Sequence, residues 1–241
     1  MSQRGGSGPR SSAQAIEKEL RKWELTRATH DQPPAAPTPP VQDFVCVSRM
    51  VGIDDTVPAM VANALGWPMF GRELLETMAG NDPVRRRLYE YMDQRDLTWW
   101  DETVLSLMGE GFIQNDYFRR LCETVLSLAR KGHAVFVGRG ADRILPREVG
   151  FRVGLTASHA SRVEMLARTL GTDPKESERR LRETEPKREE FLRHHFGVEA
   201  DDPLRQDLIL NLDRWTPGQA SELILHARAL THRRTAVVRG G

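Results

Sequence analysis

The chain is short of the features that mark several protein classes. It has two cysteines, Cys46 and Cys122, each inside an apolar run, with neither metal-ligand spacing nor a second pair to build a disulfide framework. They predict buried thiols in a reducing compartment. No run approaches the roughly 18 apolar residues that a membrane span needs. The opening Met1-Ser2-Gln3-Arg4-Gly5-Gly6-Ser7-Gly8 has no apolar signal core. A cytoplasmic protein with no membrane partner is therefore expected. The formal net charge is +1, which supplies no field for nucleic acid. His226 and His232 have no ligand partner at a diagnostic spacing, so no metal site is expected. What remains is a chain long enough for one α/β domain with a real core, plus an appendage.

The appendage comes first. Residues 1–10 are rich in Gly, Ser and Arg and predict disorder. From Ser11 to about Thr29, Ala13, Ile16, Leu20 and Trp23 fall on one helical stripe, with Ser11 and Gln14 spaced for a capping box. The proline-rich 33–40 stretch then forbids a helix and favours an extended spacer. Residues 1–40 thus predict a tethered amphipathic helix, which packs on its own body, on a second copy or on a partner.

The domain is expected over 41–232, with a flexible tail at 233–241. Phe44 to Ser48 predicts a buried strand. A helix from Val57 to Leu65 is stopped by Gly66, and a short edge strand follows in 67–70. Residues 72–130 read as helical, most clearly from Tyr117 to Ala129, with Trp99 and Trp100 as core or helix contacts. Further strands are predicted at 134–138, 151–155 and 207–211. Ser161 and Glu164 are spaced as a capping box, and Asp173-Pro174 opens a helix dense in both Arg and Glu, the pattern of a solvated, salt-bridged face. A closing helix runs from Pro217 to about Leu230. Strands alternating with helices predict a doubly wound parallel sheet, with 44–48 central.

The pivotal stretch is Ala134 to Asp142. A β-branched and aromatic run ends in Gly138-Arg139-Gly140, with Asp142 just beyond. Ligands of open parallel sheets sit at the carboxyl ends of strands, which makes Arg139 and Asp142 candidates; a local ion pair at a strand-to-helix turn fits the same residues. Together with Val47-Ser48-Arg49, Arg152-Val153, Leu155-Thr156-Ala157, Arg162, the string Thr184 to Gly197, Asp202-Pro203 and Leu210-Asn211, this stretch resembles the cytidylate kinase-like family. That resemblance implies the P-loop nucleoside monophosphate kinase fold: a five-stranded parallel sheet with a helical insert and an arginine-bearing lid, here preceded by the N-terminal helix. It implies a CMP-like acceptor beside Arg139 and Asp142, ATP with Mg2+ as donor, and a donor loop holding Ser48, Arg49, Gly52 and Thr56. It also implies a catalytic role on the phosphates in flight for Arg162, Arg182 and Arg188. Phosphoryl transfer asks for such groups, because catalysis is mainly positioning and charge stabilisation, and the planar guanidinium suits both.

The donor loop departs from the family pattern. Where the family has a loop resembling Ser-Arg-Glu-Tyr-Gly-Ser-Gly-Gly-Arg-Glu, this chain reads Ser48-Arg49-Met50-Val51-Gly52-Ile53-Asp54-Asp55-Thr56. It keeps Gly52 and has no cation after it. A phosphate cradle needs inward amides and a cation. A carboxylate about 4 Å from a phosphate charge, at an effective dielectric near 20, is repelled by on the order of 4 kcal/mol before screening. Two readings follow. One is an ATP-dependent nucleoside monophosphate kinase. The other is a pseudokinase, needing no cofactor, that acts as nucleotide sensor or protein-interaction module, with self-association or partner docking through the N-terminal helix.

Overall fold

The computed structural model describes residues 9–30, 41–89, 116–197 and 202–238. The proline-rich spacer, Trp99, Trp100 and the last three residues lie outside that set. Five strands form one all-parallel sheet in the order β2-β3-β1-β4-β5. They are β1 (Phe44–Arg49), β2 (Met69–Phe70), β3 (Ala134–Val137), β4 (Phe151–Thr156) and β5 (Leu208–Asn211). β1 is central, in register Phe44 to Ala134 on one side and Val45 to Phe151 on the other.

Strand alternation divides the core between the two faces of the sheet. Phe44, Cys46, Phe70 and Phe136 join one cluster, and Val45, Val47, Val135 and Val137 the other. Because both faces are covered, these strands read as unbroken apolar runs. The first face meets α1 (Pro9–His30), α3 (Arg72–Ala79), α4 (Asp82–Tyr89) and α5 (Asp116–Lys131). The second meets α2 (Thr56–Leu65) and α9 (Pro217–Val238). Burial pushes the Cys46 thiol well above its usual range and Cys122 up to about 12, so neither is a nucleophile at neutral pH.

The apolar stripe of α1 is spent on the chain's own core: Ile16, Leu20 and Trp23 are buried there. Trp23 Nε1 donates to Leu128 O at 2.8 Å, and Arg87 pairs with Glu24 at 2.8 Å. The helix begins at Pro9, so Ser11 is inside it rather than capping it. Two other boundaries differ from expectation. The N-cap of α7 (His159–Leu170) is Ser158, which accepts from Ser161 N and is itself held by Asp213 through Ser158 N at 2.8 Å, so Ser161 falls inside the first turn. α9 continues to Val238, into the expected tail. Helix α8 (Pro174–Phe196) is capped by Asp173 as expected and runs unbroken through Pro186. Among the described residues no helix is long and apolar enough to cross a membrane.

Candidate functional site

A cleft of about 1580 Å³ opens at the carboxyl edge of β1 and β3. Its walls come from the loop after β1, the turn after β3, the cleft face of α8, the last turns of α7, and one face each of α1 and α3.

The turn after β3 is conformationally unusual. Gly138, Arg139 and Gly140 have φ of 74°, 54° and 68°, and Arg139 is the non-glycine with positive φ among the described residues. An L side chain there costs on the order of 1–2 kcal/mol. At Gly140 even the smallest side chain is excluded, since a β-carbon would stand 2.4 Å from the Phe196 ring. The strain aims Arg139 into the cleft, where its guanidinium ion-pairs with Glu76 of α3 and lies 4.8 Å from the Phe191 ring centroid. Burial and the neighbouring Arg72 pull its pKa down to about 10. Glu76 acts in the opposite direction, and the group stays charged at neutral pH. The next residues form a one-turn helix, α6 (Ala141–Ile144), which sets Asp142 and Arg143, both nearly buried, on the cleft floor.

Beneath α6 lies Arg152, a fully buried β4 residue. Its guanidinium donates to the carbonyls of Asp142 at 3.1 Å, Leu145 at 2.8 Å, Pro146 at 2.6 Å and Val149 at 3.0 Å. Arg152 therefore fastens the segment that displays Asp142 and Arg143. As a charged residue in an inward-facing strand position, it is a positioning residue that the strand pattern alone passes over.

The donor-side loop is internally bonded. Arg49 ion-pairs with Asp55 at 2.8 Å and donates to Ile53 O. Ile53 N donates to Met50 O at 3.3 Å and Thr56 N to Asp54 Oδ1 at 2.9 Å. Thus Arg49 answers one of the two carboxylates. At Gly52, with φ 95°, a β-carbon would lie 2.8 Å from Leu181 Cδ1 and 2.9 Å from Arg162 O, so α8 and α7 press directly on the loop.

The five-stranded, all-parallel sheet with β1 central is the one the sequence implies. A model of the cytidylate kinase-like family matches residues 44–214, more than half of the chain. The chain belongs to that family. No curated protein matches it. Among solved structures, an uncharacterized protein from Eubacterium ventriosum aligns with a TM-score of 0.62 at 16% identity, over 77% of this chain and 97% of that chain, a likeness of fold. A gluconokinase from Sinorhizobium meliloti aligns with a TM-score of 0.42 at 12% identity, over 81% of this chain and 96% of that chain.

Within this cytidylate kinase-like frame the expected residues divide. Ser48, Arg49, Gly52, Arg139, Asp142 and Arg188 line the cleft. Thr56 opens α2 and is not in the lining. Arg162 sits behind the loop, donating to Val51 O at 3.1 Å and pairing with Glu185, so it ties loop to lid helix rather than facing the cleft. Arg182 points to solvent and pairs with Glu178 at 2.6 Å. The helical period explains this: Arg180, Thr184, Lys187, Arg188 and Phe191 share the cleft face of α8, and position 182 is off that stripe. Lys187, Arg180 and Arg143 are thus cleft cations that family position alone does not pick out.

The carboxyl end of α8 is anchored by rings. His195 stacks on Phe118 with centroids 4.3 Å apart at 13°, and Phe191 and Phe196 complete the cluster. Burial, with help from His194 and Arg139, holds the imidazole down to about 4 against an ordinary 6.5. The unfolded chain therefore takes the proton first. The stabilising contribution is full above about 6.5 and is lost as pH falls towards about 4. Urea midpoints measured across that window should fall for the wild-type chain and fall less for His195→Phe. Equal slopes would remove His195 from the account.

Proposed function

We propose that this cytidylate kinase-like protein binds a nucleoside monophosphate in the base-rich part of the cleft and turns over ATP little or not at all, serving as a nucleotide sensor. Arg139, Arg143, Lys187 and Arg188 from the β3 turn, α6 and α8 suit a phosphate group, which guanidinium forks bind in a charge-assisted way. The observation that carries the sensor reading is the donor loop. Its arginine is committed to Asp55 and Ile53 O, and the amides of Ile53 and Thr56 already have acceptors within the loop. A phosphate arriving there would meet the Asp54 carboxylate, which pairs with no cation among the described residues, and no inward cation at the family's position. Mg2+ would come with ATP. Of the two loop carboxylates that could meet it, Asp55 is already paired with Arg49 and Asp54 Oδ1 accepts from Thr56 N.

The second reading, an active kinase, is favoured by the same cationic wall, which would also serve a phosphoryl group in flight. Calorimetric titration with CMP and, separately, with ATP–Mg separates the two. The sensor reading expects CMP to bind and ATP to bind weakly or not measurably. Arg139→Ala should then weaken CMP by about 10- to 150-fold, the equivalent of roughly 1.5–3 kcal/mol for a hydrogen bond to a charged group. Transfer from ATP to CMP at about 1–100 per second would establish the kinase reading instead. Binding of neither nucleotide would leave the interaction module.

A further inference from the structure

The N-terminal helix lies outside the 44–214 span matched by the family, yet Ala15 and Glu19 line the cleft. Glu19 does more than line it. Its carboxylate Oε2 accepts from Met69 N at 3.0 Å. Met69 belongs to β2, an edge strand bonded within the sheet only to β3. The outward amide of an edge strand otherwise has no partner in the sheet. One turn further along α1, Lys22 donates to Trp67 O, so two side chains of α1 grip the segment leading into β2. That segment continues through Gly71 into α3, which brings Arg72, Glu73 and Glu76 to the cleft. Glu76 in turn holds Arg139 from across the cleft.

We infer that Glu19 is a positioning residue for the acceptor half of the cleft, so that the N-terminal helix is a working part of the nucleotide site. The placement follows from charge. The α6 and α8 wall, with Arg143, Lys187 and Arg188, takes the phosphate. The α1 and α3 wall, with Glu19, Glu73 and Glu76 against Arg72, faces the sugar-and-base end of the same ligand. The identity of that ligand rests on the function proposed above; the grip of Glu19 on β2 does not.

The test uses the full chain and two variants. Glu19→Ala removes the acceptor for Met69 N, while Glu19→Gln keeps a carbonyl oxygen in its place. Loss of one hydrogen bond predicts about three- to tenfold faster amide exchange at Met69 and about three- to tenfold weaker CMP binding in Glu19→Ala. Exchange in β1 and the urea midpoint should be nearly unchanged, and Glu19→Gln should restore both readings. Unchanged Met69 exchange in Glu19→Ala would overturn the inference. So would faster exchange spread evenly over the sheet, or a Gln variant behaving like Ala. If the wild-type chain binds no CMP, the proposed function falls, and Met69 exchange with its rescue by Gln still decides the positioning role.

Discussion

Arg152→Leu is expected to cost about 4–6 kcal/mol of folding stability, enough to leave much of the chain unfolded, because small domains have roughly 5–15 kcal/mol in all. Three buried or half-buried carbonyls, those of Leu145, Pro146 and Val149, lose their donor together, and Asp142 O is left with Arg205 at 3.3 Å. Each orphaned acceptor costs about 1–3 kcal/mol. The sum is reduced because leucine removes a charge that is costly to bury, and burial works against this guanidinium, pulling its pKa down. Arg152→Lys is the informative companion. An ammonium has three donors on one atom and cannot reach four carbonyls spread round a planar fork, so an intermediate loss is expected. Urea unfolding of both variants measures it. A loss below about 1 kcal/mol for Leu would mean that water can replace the guanidinium. In the folded fraction the proposed CMP binding should fall as well, since the carbonyls that Arg152 gathers belong to the segment carrying Asp142 and Arg143.

The prominence of Arg152 marks where the sequence stops being legible. Strands such as Phe44–Arg49 and Ala134–Val137 are readable because burial on both faces demands apolar residues at every position. The same logic treats an arginine within Phe151-Arg152-Val153 as an interruption. What makes it tolerable is a set of carbonyls from residues 142–149, which a strand pattern does not contain. The lid helix shows a related limit. Family position selects Arg182, whereas the 3.6-residue period, once one cleft-facing residue is known, selects Arg180, Thr184, Lys187, Arg188 and Phe191. Phase, not composition, decides which of many arginines meets a ligand. The aspartates of the donor loop were equally visible in the sequence, but not that Arg49 folds back on Asp55, a contact set by the turn geometry between them. For α1, the stripe shows that a face is buried without showing against what.

That last point supplies the second large effect. Trp23→Ala should cost about 3–5 kcal/mol, the usual range for truncating a buried tryptophan, since Trp23 is almost fully buried and its indole also satisfies Leu128 O. The loss has a particular distribution. α1 is held by three buried apolar side chains, Ile16, Leu20 and Trp23, each contributing roughly 1.5–3 kcal/mol. It is joined to β1 through residues 31–40 and contributes no strand, so it can leave without breaking the sheet. Local release is then less costly than global unfolding. In Trp23→Ala the amides of α1 should lose exchange protection, while those of β1 and β4 keep theirs. The outward edge of β2 would be uncovered at Met69, together with the apolar surface around Leu128, a combination that favours association between copies. Light scattering should therefore rise with concentration in the variant and stay flat in the wild type. If α1 amides remain protected in Trp23→Ala, the helix is held by its polar contacts, Glu19 to Met69 N, Lys22 to Trp67 O and Glu24 to Arg87. In that case the indole is filling space rather than anchoring the helix.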